Sequence, residues 1–182
     1  MKLYPKRNIS SIYFDNKNLD MFLDYEEGNV PRKKIRLRIY PNSKEKFFLI
    51  EKKITSAEGK FKLSNKKDIA EYNSLIKKGL FDNSYGLIEK KIRISYSREY
   101  FSLFNTRLTL DTNIVYSSPN GQFKVYDYDS LILEIKSNKD IISVQNIFLN
   151  LIPIRRERFS KYCQGMNALY NKDHSQRLNL SN

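Results

Sequence analysis

Basic residues alternate with apolar ones in the segment RKKIRLRIY, residues 32–40. In a β-strand, successive side chains point to opposite faces of the sheet. Lys34, Arg36 and Arg38 would therefore share one face with Tyr40, while isoleucine and leucine side chains take the other. Arginine carries a permanent charge on a planar fork that suits phosphate oxygens. The segment predicts a strand with one core face and one face that is either ordinary surface or the wall of an anion site.

Charged residues that would share one strand face recur in three further segments. These are Glu51 and Lys53 in FFLIEKKI, Arg107 and Asp111 flanking Thr109 in TRLTLD, and Glu134 and Lys136 in LILEIK. Residues two apart lie roughly 6.5–7 Å apart along a strand and on the same face, and residues four apart lie about twice as far apart on that face. A solvated charged face is common in antiparallel sheets, so one strand of this kind indicates little. Because this pattern recurs on several strands that are otherwise unlike, we expect their charged faces to converge on a charged lumen. A barrel produces such a lumen naturally.

Composition limits the classes of function. The chain has 182 residues, 40% hydrophobic content and a formal charge of +13, which predicts one domain and a polyanionic partner: nucleic acid, nucleotide, polyphosphate or an anionic membrane surface. Its single cysteine, Cys163, excludes an internal disulfide and fits a reducing cytoplasm. The only histidine, His174, lies in a polar tail and is expected to be incidental. No signal peptide or membrane helix is visible, so we expect a cytoplasmic protein whose membrane contact is peripheral or through a partner.

Periodicity and turn residues then predict the elements that carry these charges. A helical turn is expected in the polar stretch between residues 16 and 31, and Ser64 is interpreted as the cap of a helix that stops at Gly79. The predicted elements are strands over residues 8–15, 33–40, 47–54, 90–100, 106–114, 122–126 and 131–136, and helices over 66–78, 140–151 and 159–170.

Seven segments, in order, resemble the VTC (vacuolar transporter chaperone) domain, a polyphosphate polymerase domain of the triphosphate tunnel metalloenzyme superfamily. They are SIYFDN, KKIRLRIY, FFLIEKK, YSREYF, RLTLDTNI, LILEIK and RRERFSKYCQG, and the similarity runs over residues 9–166. The resemblance implies an α+β fold: an antiparallel β-barrel tunnel (CYTH-like) with helices packed outside. It places this single tunnel domain at residues 1–170, followed by a polar tail at 171–182.

The resemblance also implies site residues. The catalytic set comprises Arg36 and Arg38 of the R-x-R strand, Lys53 of E-x-K, Arg98 of Y-x-R, Arg107 of R-x-T-x-D and Lys161 of R-x-x-S-K-Y. Lys60 and Arg158 match further phosphate-binding residues, and Glu134 matches the residue that binds the metal, Mn²⁺ or Mg²⁺. Lys136 is added to the phosphate-binding residues because it faces the same way as Glu134.

The function implied is transfer of the ATP γ-phosphoryl group onto a growing inorganic polyphosphate chain. Alternatives are a tunnel-type triphosphatase, acting on triphosphate or RNA 5′-triphosphate ends, and a non-catalytic module that binds polyphosphate or inositol phosphates. Specific nucleic-acid binding is not expected, because most aromatic residues alternate along strands as core residues do. Walker-type G-x-x-x-x-G-K-[ST] and G-x-G-x-x-G loops are absent from the sequence, as is zinc-ligand spacing.

The N-terminus departs from the family pattern. Family members usually have an opening strand with an E-x-K-Y-like element and a helix before the SIYFD-like strand, whereas here MKLYPKRN precedes the strand, with Lys2 as a poor substitute for the lysine. A missing strand would leave the tunnel open on one side and expose a sheet edge. Three alternatives follow: the chain is a binding or regulatory version, it is completed by a partner or by a second copy of the chain, or its start is truncated.

Overall fold

The computed structural model describes residues 2–43, 47–103, 106–136 and 157–179, with side chains placed from residue 4 to residue 170 within those ranges. The strands are β1 Lys2–Asp15, β2 Arg32–Ile39, β3 Phe48–Ser56, β4 Gly59–Lys67, β5 Leu80–Asp82, β6 Gly86–Leu103, β7 Thr106–Ser117, β8 Lys124–Asp127 and β9 Ile132–Lys136. The helices are α1 Asp20–Glu27, α2 Ile69–Lys78 and α3 Lys161–Asn179.

All strand pairs are antiparallel, which confirms the predicted α+β class with an antiparallel sheet. The strand order is β4-β3-β2-β1-β6-β7-β8, with β9 paired to β7 and β5 paired to β6. Within the described ranges, no hydrogen-bonded ladder joins β4 to β8, so this part of the sheet does not close into a barrel by strand pairing.

Alternation along the strands produces two apolar clusters on opposite faces of the sheet. One face, here called the inner face, carries Ile9, Tyr13, Ile92, Ile94, Tyr96, Ile114 and Tyr116, and residues of α3 (Tyr162, Cys163 and Met166) pack against them. The outer face carries Ile12, Phe14, Ile35, Leu37 and Ile88, and α2 covers it with Tyr72, Leu75 and Ile76. Helix α2 thus packs outside as expected, whereas α3 packs against the inner face.

The start of α2 corrects one prediction. Residues 59–67, which include the expected cap Ser64, form strand β4 and pair with β3. The true cap is Asp68: its side chain accepts the Glu71 N–H at 2.8 Å, and the Glu71 carboxylate accepts the Asp68 N–H at 3.1 Å. A reciprocal pair of this kind satisfies two orphan donors of the first turn, which favours Asp68 over Ser64 as the helix start.

Several strands are longer than predicted. Strand β1 begins at Lys2 rather than at residue 8, and β6 covers 18 residues rather than the predicted 11. The β1 extension pairs with residues 98–101 of β6, whereas the β6 extensions pair mainly with β5 at one end and β7 at the other. Pairing with other strands thus adds ordered length that the local pattern does not show. The predicted helix over residues 140–151 lies outside the described residues.

Candidate functional site

A buried carboxylate organises the cations of β2, β3 and β4. The side chain of Glu51 is 1% exposed and accepts a hydrogen bond from Arg36 Nε at 2.7 Å. Arg38 Nε lies 3.4 Å from the same oxygen, and Lys62 Nζ lies 2.5 Å from the other. Arg36 Nη1 also donates to the Tyr13 hydroxyl at 2.8 Å. Three cations therefore surround one anion, so the group keeps a net positive charge.

Glu51 is ionised at physiological pH. Burial by itself would raise its pKa, but the charges of Arg36 and Arg38, with hydrogen bonds from Lys62 and Arg36, outweigh burial and lower the pKa to about 2. Glu51 is therefore suited to orient the arginines and unsuited to act as a general acid.

A second cluster joins β6, β7, β9 and the first residue of α3. Arg98 binds Asp111 through two hydrogen bonds, Nε to Oδ1 at 2.5 Å and Nη2 to Oδ2 at 2.7 Å. Lys161 Nζ lies 2.5 Å from Asp111 Oδ2, and Arg98 Nη2 lies 3.5 Å from Glu134. Lys136 pairs with Glu134 at 3.1 Å. This arrangement brings four of the predicted site residues together.

Glu134 has the properties of a ligand for a hard cation. Burial would raise its pKa, but Lys136 and Arg98 lower the pKa below its ordinary value, so the carboxylate is ionised near neutral pH. No group of three or more potential metal-ligating side chains occurs in the described part of the chain. Among the described side chains, Glu134 would offer Mg²⁺ or Mn²⁺ a single carboxylate, the kind of oxygen donor that hard cations prefer, rather than an all-protein cage.

Lys53 lies on the inner face and interacts electrostatically with residues of both clusters. Its side chain remains accessible to solvent. Partial burial and the positive charges of Arg36, Lys136 and Arg38 lower its pKa to about 8, and the negative charge of Glu134 opposes this shift. Four strands lie between β3, which carries Lys53, and β9, which carries Glu134 and Lys136. Their mutual influence indicates that the sheet curls enough to bring the two clusters within electrostatic range of each other, and the concave inner face between them is here called the groove.

Three buried polar atoms on the inner face make no hydrogen bond within the described residues: Ser11 Oγ, Arg38 Nε and Thr109 Oγ1. Ser11 is the register partner of Arg38, and Thr109 is that of Glu134. Buried polar groups are nearly always satisfied by protein, water or ligand.

The other predicted residues lie at the margins. Arg107 is exposed on β7 and faces Lys136 in register, and Lys60 is exposed on the same face of β4 as Lys62. Arg158 lies apart, with its guanidinium carbon 4.2 Å from the ring centre of Tyr25 in α1.

The structure adds four residues that sequence reasoning did not place in the site: the counter-ions Glu51 and Asp111, the Arg36 partner Tyr13, and Lys62. The role of Glu51 and Asp111 as counter-ions becomes visible only from the register between neighbouring strands. Of the charged pairs predicted two apart on one strand, only Glu134 and Lys136 form an ion pair between described residues. Side chains on adjacent strands approach more closely than residues two apart along one strand, which favours pairing across strands. Lys62 could have been found by extending the alternation from Lys60.

Lys34 is another addition, although its face was predicted. Its ammonium donates to Ser160 Oγ at 2.8 Å and lies 3.5 Å from the ring centre of Tyr25. Burial, together with the nearby cations Lys53 and Arg32, lowers the pKa of Lys34 to about 7. This residue links the R-x-R strand to the segment just before α3.

The VTC domain family model matches residues 3–170. This chain belongs to the VTC domain family. A protein from Bacillus halodurans, solved as a proposed adenylate cyclase, shares the fold with a TM-score of 0.61 and 14% identity, over 87% of this chain and 81% of that one. A protein from Pyrococcus horikoshii gives a TM-score of 0.57 and 14% identity, over 92% and 86%. Comparison with curated protein sequences gave no significant match.

Family and fold together support a triphosphate tunnel-type protein. Among the described helices, none is long and apolar enough to cross a membrane.

Proposed function

We propose that this VTC-family protein is a metal-dependent phosphotransferase of the polyphosphate polymerase type, which adds the ATP γ-phosphoryl group to an inorganic polyphosphate chain. One observation carries the proposal: the cation clusters around Glu51 and Asp111 lie on the same inner face, and Lys53 is electrostatically coupled to both sides. A groove with this charge suits a ligand that is anionic along its whole length.

The buried carboxylates support binding rather than oppose it. Glu51 and Asp111 fix the guanidinium planes of Arg36 and Arg98, so little conformational entropy is lost when phosphate arrives. Arg38 keeps an unsatisfied Nε and thus has capacity to donate to an anion.

Phosphoryl transfer depends mainly on positioning and charge neutralisation, which this constellation can supply without a covalent nucleophile. In our proposal Arg36, Arg38, Arg98 and Arg107 hold the γ-phosphoryl group. An oxygen of the chain's terminal phosphate attacks in line, a new phosphoanhydride bond forms, and the bond between the β- and γ-phosphoryl groups breaks to release ADP. Lys53 and Lys161 steady the chain and the leaving ADP.

Further residues would extend this site. Lys60, Lys136 and Arg158 contact phosphates beyond the reacting group, and Glu134 holds Mn²⁺ or Mg²⁺ there. The bound metal would neutralise charge on phosphate oxygens. Residues 1–170 act as one domain that wraps into a tunnel, with 171–182 as a polar tail.

We also propose that a partner completes the open edge of the sheet at β4. A membrane protein at the cytoplasmic surface or a second copy of the chain could cover β4, whose outer edge lacks a strand partner in the described part of the chain. Specific nucleic-acid binding plays no part.

Incubation of the purified protein with ATP and Mn²⁺ tests the proposal. A gel stained for phosphate polymers and a separate assay for free phosphate distinguish the outcomes. Polymer formation that is lost in Glu134→Gln supports the polymerase. Free phosphate without polymer would replace it with a triphosphatase, and binding without either product would indicate a non-catalytic module.

A further inference from the structure

On the inner face, Tyr4, Arg7 and Tyr100 lie beside Arg98, one of the proposed phosphate-binding residues. Tyr100 follows Arg98 by two positions on β6, and β1 supplies their register partners: Tyr4 opposite Tyr100 and Arg7 opposite Arg98. Paired residues of an antiparallel ladder point to the same face. Tyr4, Arg7 and Tyr100 therefore extend the inner face past Arg98.

A bulge in β1 makes this grouping possible. Residues three apart on a regular strand point to opposite faces, yet Tyr4 and Arg7 oppose residues only two apart on β6. The register shift between them inserts one extra residue, at the position where Pro5 interrupts the ladder. The bulge thus turns both side chains towards Tyr100.

The geometry of the group differs from that of a packed core. The rings of Tyr4 and Tyr100 are perpendicular, with their centres 5.7 Å apart. The Arg7 guanidinium carbon lies 5.6 Å and 5.7 Å from the two ring centres. Tyr4 is 52% exposed, whereas Tyr13, Tyr96 and Tyr116 on the same face are buried. An open corner with two ring walls and one guanidinium plane remains accessible.

A bare phosphate chain has no ring that could stack on these aromatic side chains. Aromatic rings and guanidinium planes are, however, the surfaces on which nucleobases stack. Residues two apart on a strand lie roughly 7 Å apart, a spacing suited to phosphates at Arg98 and a base beside Tyr100. We infer that Tyr4, Arg7 and Tyr100 form a nucleobase site for the nucleoside triphosphate. This inference rests on the proposed function, because it assigns the nucleoside end of the same substrate.

The test compares ATP with inorganic tripolyphosphate, which lacks a base, by calorimetric titration of the full chain. Tyr100→Leu and Tyr4→Leu are expected to weaken ATP binding roughly tenfold or more, in line with the loss of one stacking surface. Tripolyphosphate affinity should stay within about twofold, which also shows that the variant is folded. Tyr100→Phe should restore ATP binding because it keeps the ring. Tyr128→Leu, which removes an exposed tyrosine from outside the group, is the matched control.

Two results would overturn the nucleobase site while leaving the proposed function intact. One is unchanged ATP affinity in both leucine variants. The other is an equal loss of ATP and tripolyphosphate affinity, which would assign these residues to phosphate binding or folding. If the wild-type chain binds neither ligand, the proposed function fails and the nucleobase site falls with it. Should Tyr100→Leu not fold, the more exposed Tyr4→Leu carries the test.

Discussion

At the residue scale, the inner-face arginines differ in how they are held. Arg36 is fixed by Glu51 and Tyr13, and Arg98 by two bonds to Asp111. Arg38 is nearly as buried, but its Nε has only the loose 3.4 Å contact with Glu51. Leaving a buried charged donor without a full partner costs free energy, so a ligand that satisfies it gains affinity.

Arg38→Ala should therefore weaken binding of polyphosphate or tripolyphosphate by roughly 10- to 100-fold, the range for a lost hydrogen bond to a charged group. Chain synthesis should be abolished. Titration calorimetry and the polymer gel measure these effects, with thermal unfolding to verify the fold. Arg93→Ala is the control, because Arg93 pairs in register with outer-face Ile12. Equal behaviour of the two variants would remove Arg38 from the site.

Lys53 should make anion binding depend on pH. Its pKa of about 8 means that the unliganded side chain loses its charge as pH rises through 8. Tripolyphosphate affinity of the wild type should fall more steeply between about pH 7 and 9 than that of Lys53→Met, when both are titrated at constant ionic strength. Because both proteins meet the same ligand protonation, parallel pH profiles would contradict the assignment.

The same shift has a consequence for stability in the absence of ligand. The folded state binds the Lys53 proton less tightly than the unfolded chain, whose lysine has the ordinary pKa of 10.5. The unfolded state therefore binds more protons between about pH 8 and 10.5, and this group makes the free energy of unfolding rise with pH over that window. Lys53→Met should be more stable than the wild type near pH 7, and the difference should shrink as pH rises towards 10.5. Urea unfolding at several pH values measures it, and a pH-independent difference would argue against a depressed pKa.

At the element scale, one buried carboxylate anchors two helices to the sheet. Asp15 at the end of β1 accepts the N–H groups of Met21 and Phe22, each at 3.0 Å, and so caps the first turn of α1. It also accepts the Tyr162 hydroxyl of α3 at 2.7 Å. The Tyr162 ring stacks on Tyr13, with ring centres 5.3 Å apart. These contacts set the position of α3 and therefore of Lys161 beside Asp111.

Tyr162→Phe isolates this hydrogen bond, because the ring stacking is kept. The loss of one bond to a buried carboxylate should lower the free energy of unfolding by about 1–3 kcal/mol. The urea midpoint should fall with an unchanged slope. Tyr170→Phe, at a half-exposed position of the same helix, is the control and should change little. A Tyr162→Phe variant as stable as the wild type would show that α3 docks through packing alone.

At the scale of the whole molecule, the chain has a formal charge of +13, and on the inner face Arg36, Arg38 and Lys62 outnumber their shared counter-ion Glu51. Mutual repulsion of these cations opposes the compact state when no anion is bound. A ligand that binds only the folded state stabilises it by mass action.

Tripolyphosphate should therefore raise the melting temperature of the wild type at low ionic strength, and the increase should shrink as salt screens the charges. Differential scanning fluorimetry over a ligand titration measures this. Sodium chloride of matched ionic strength is the control. An equal shift with chloride would show general screening of surface charge rather than occupation of the groove.

Sequence pattern predicted the fold where one strand face had to be apolar. The alternation in β2, β3, β7 and β9 gave strands whose charged faces do turn the same way. It failed for residues 59–67, which pair with β3 as a tight hairpin with Ser56 opposite Gly59, because Ser64 resembles a helix cap when viewed alone. The extra length of β1 depends on its long-range pairing with β6, which the local pattern does not show.

The sequence by itself determined which residues share a face, because side-chain alternation is a property of the strand alone. It therefore determined the basic character of the inner face and the presence of Glu134 on it. Tertiary structure decided which charges meet: that Glu51 and Asp111 serve as counter-ions, that Lys53 comes within electrostatic range of Glu134, and that a bulge turns Tyr4 towards Tyr100. Those pairings depend on register and sheet curvature, which many distant contacts set together.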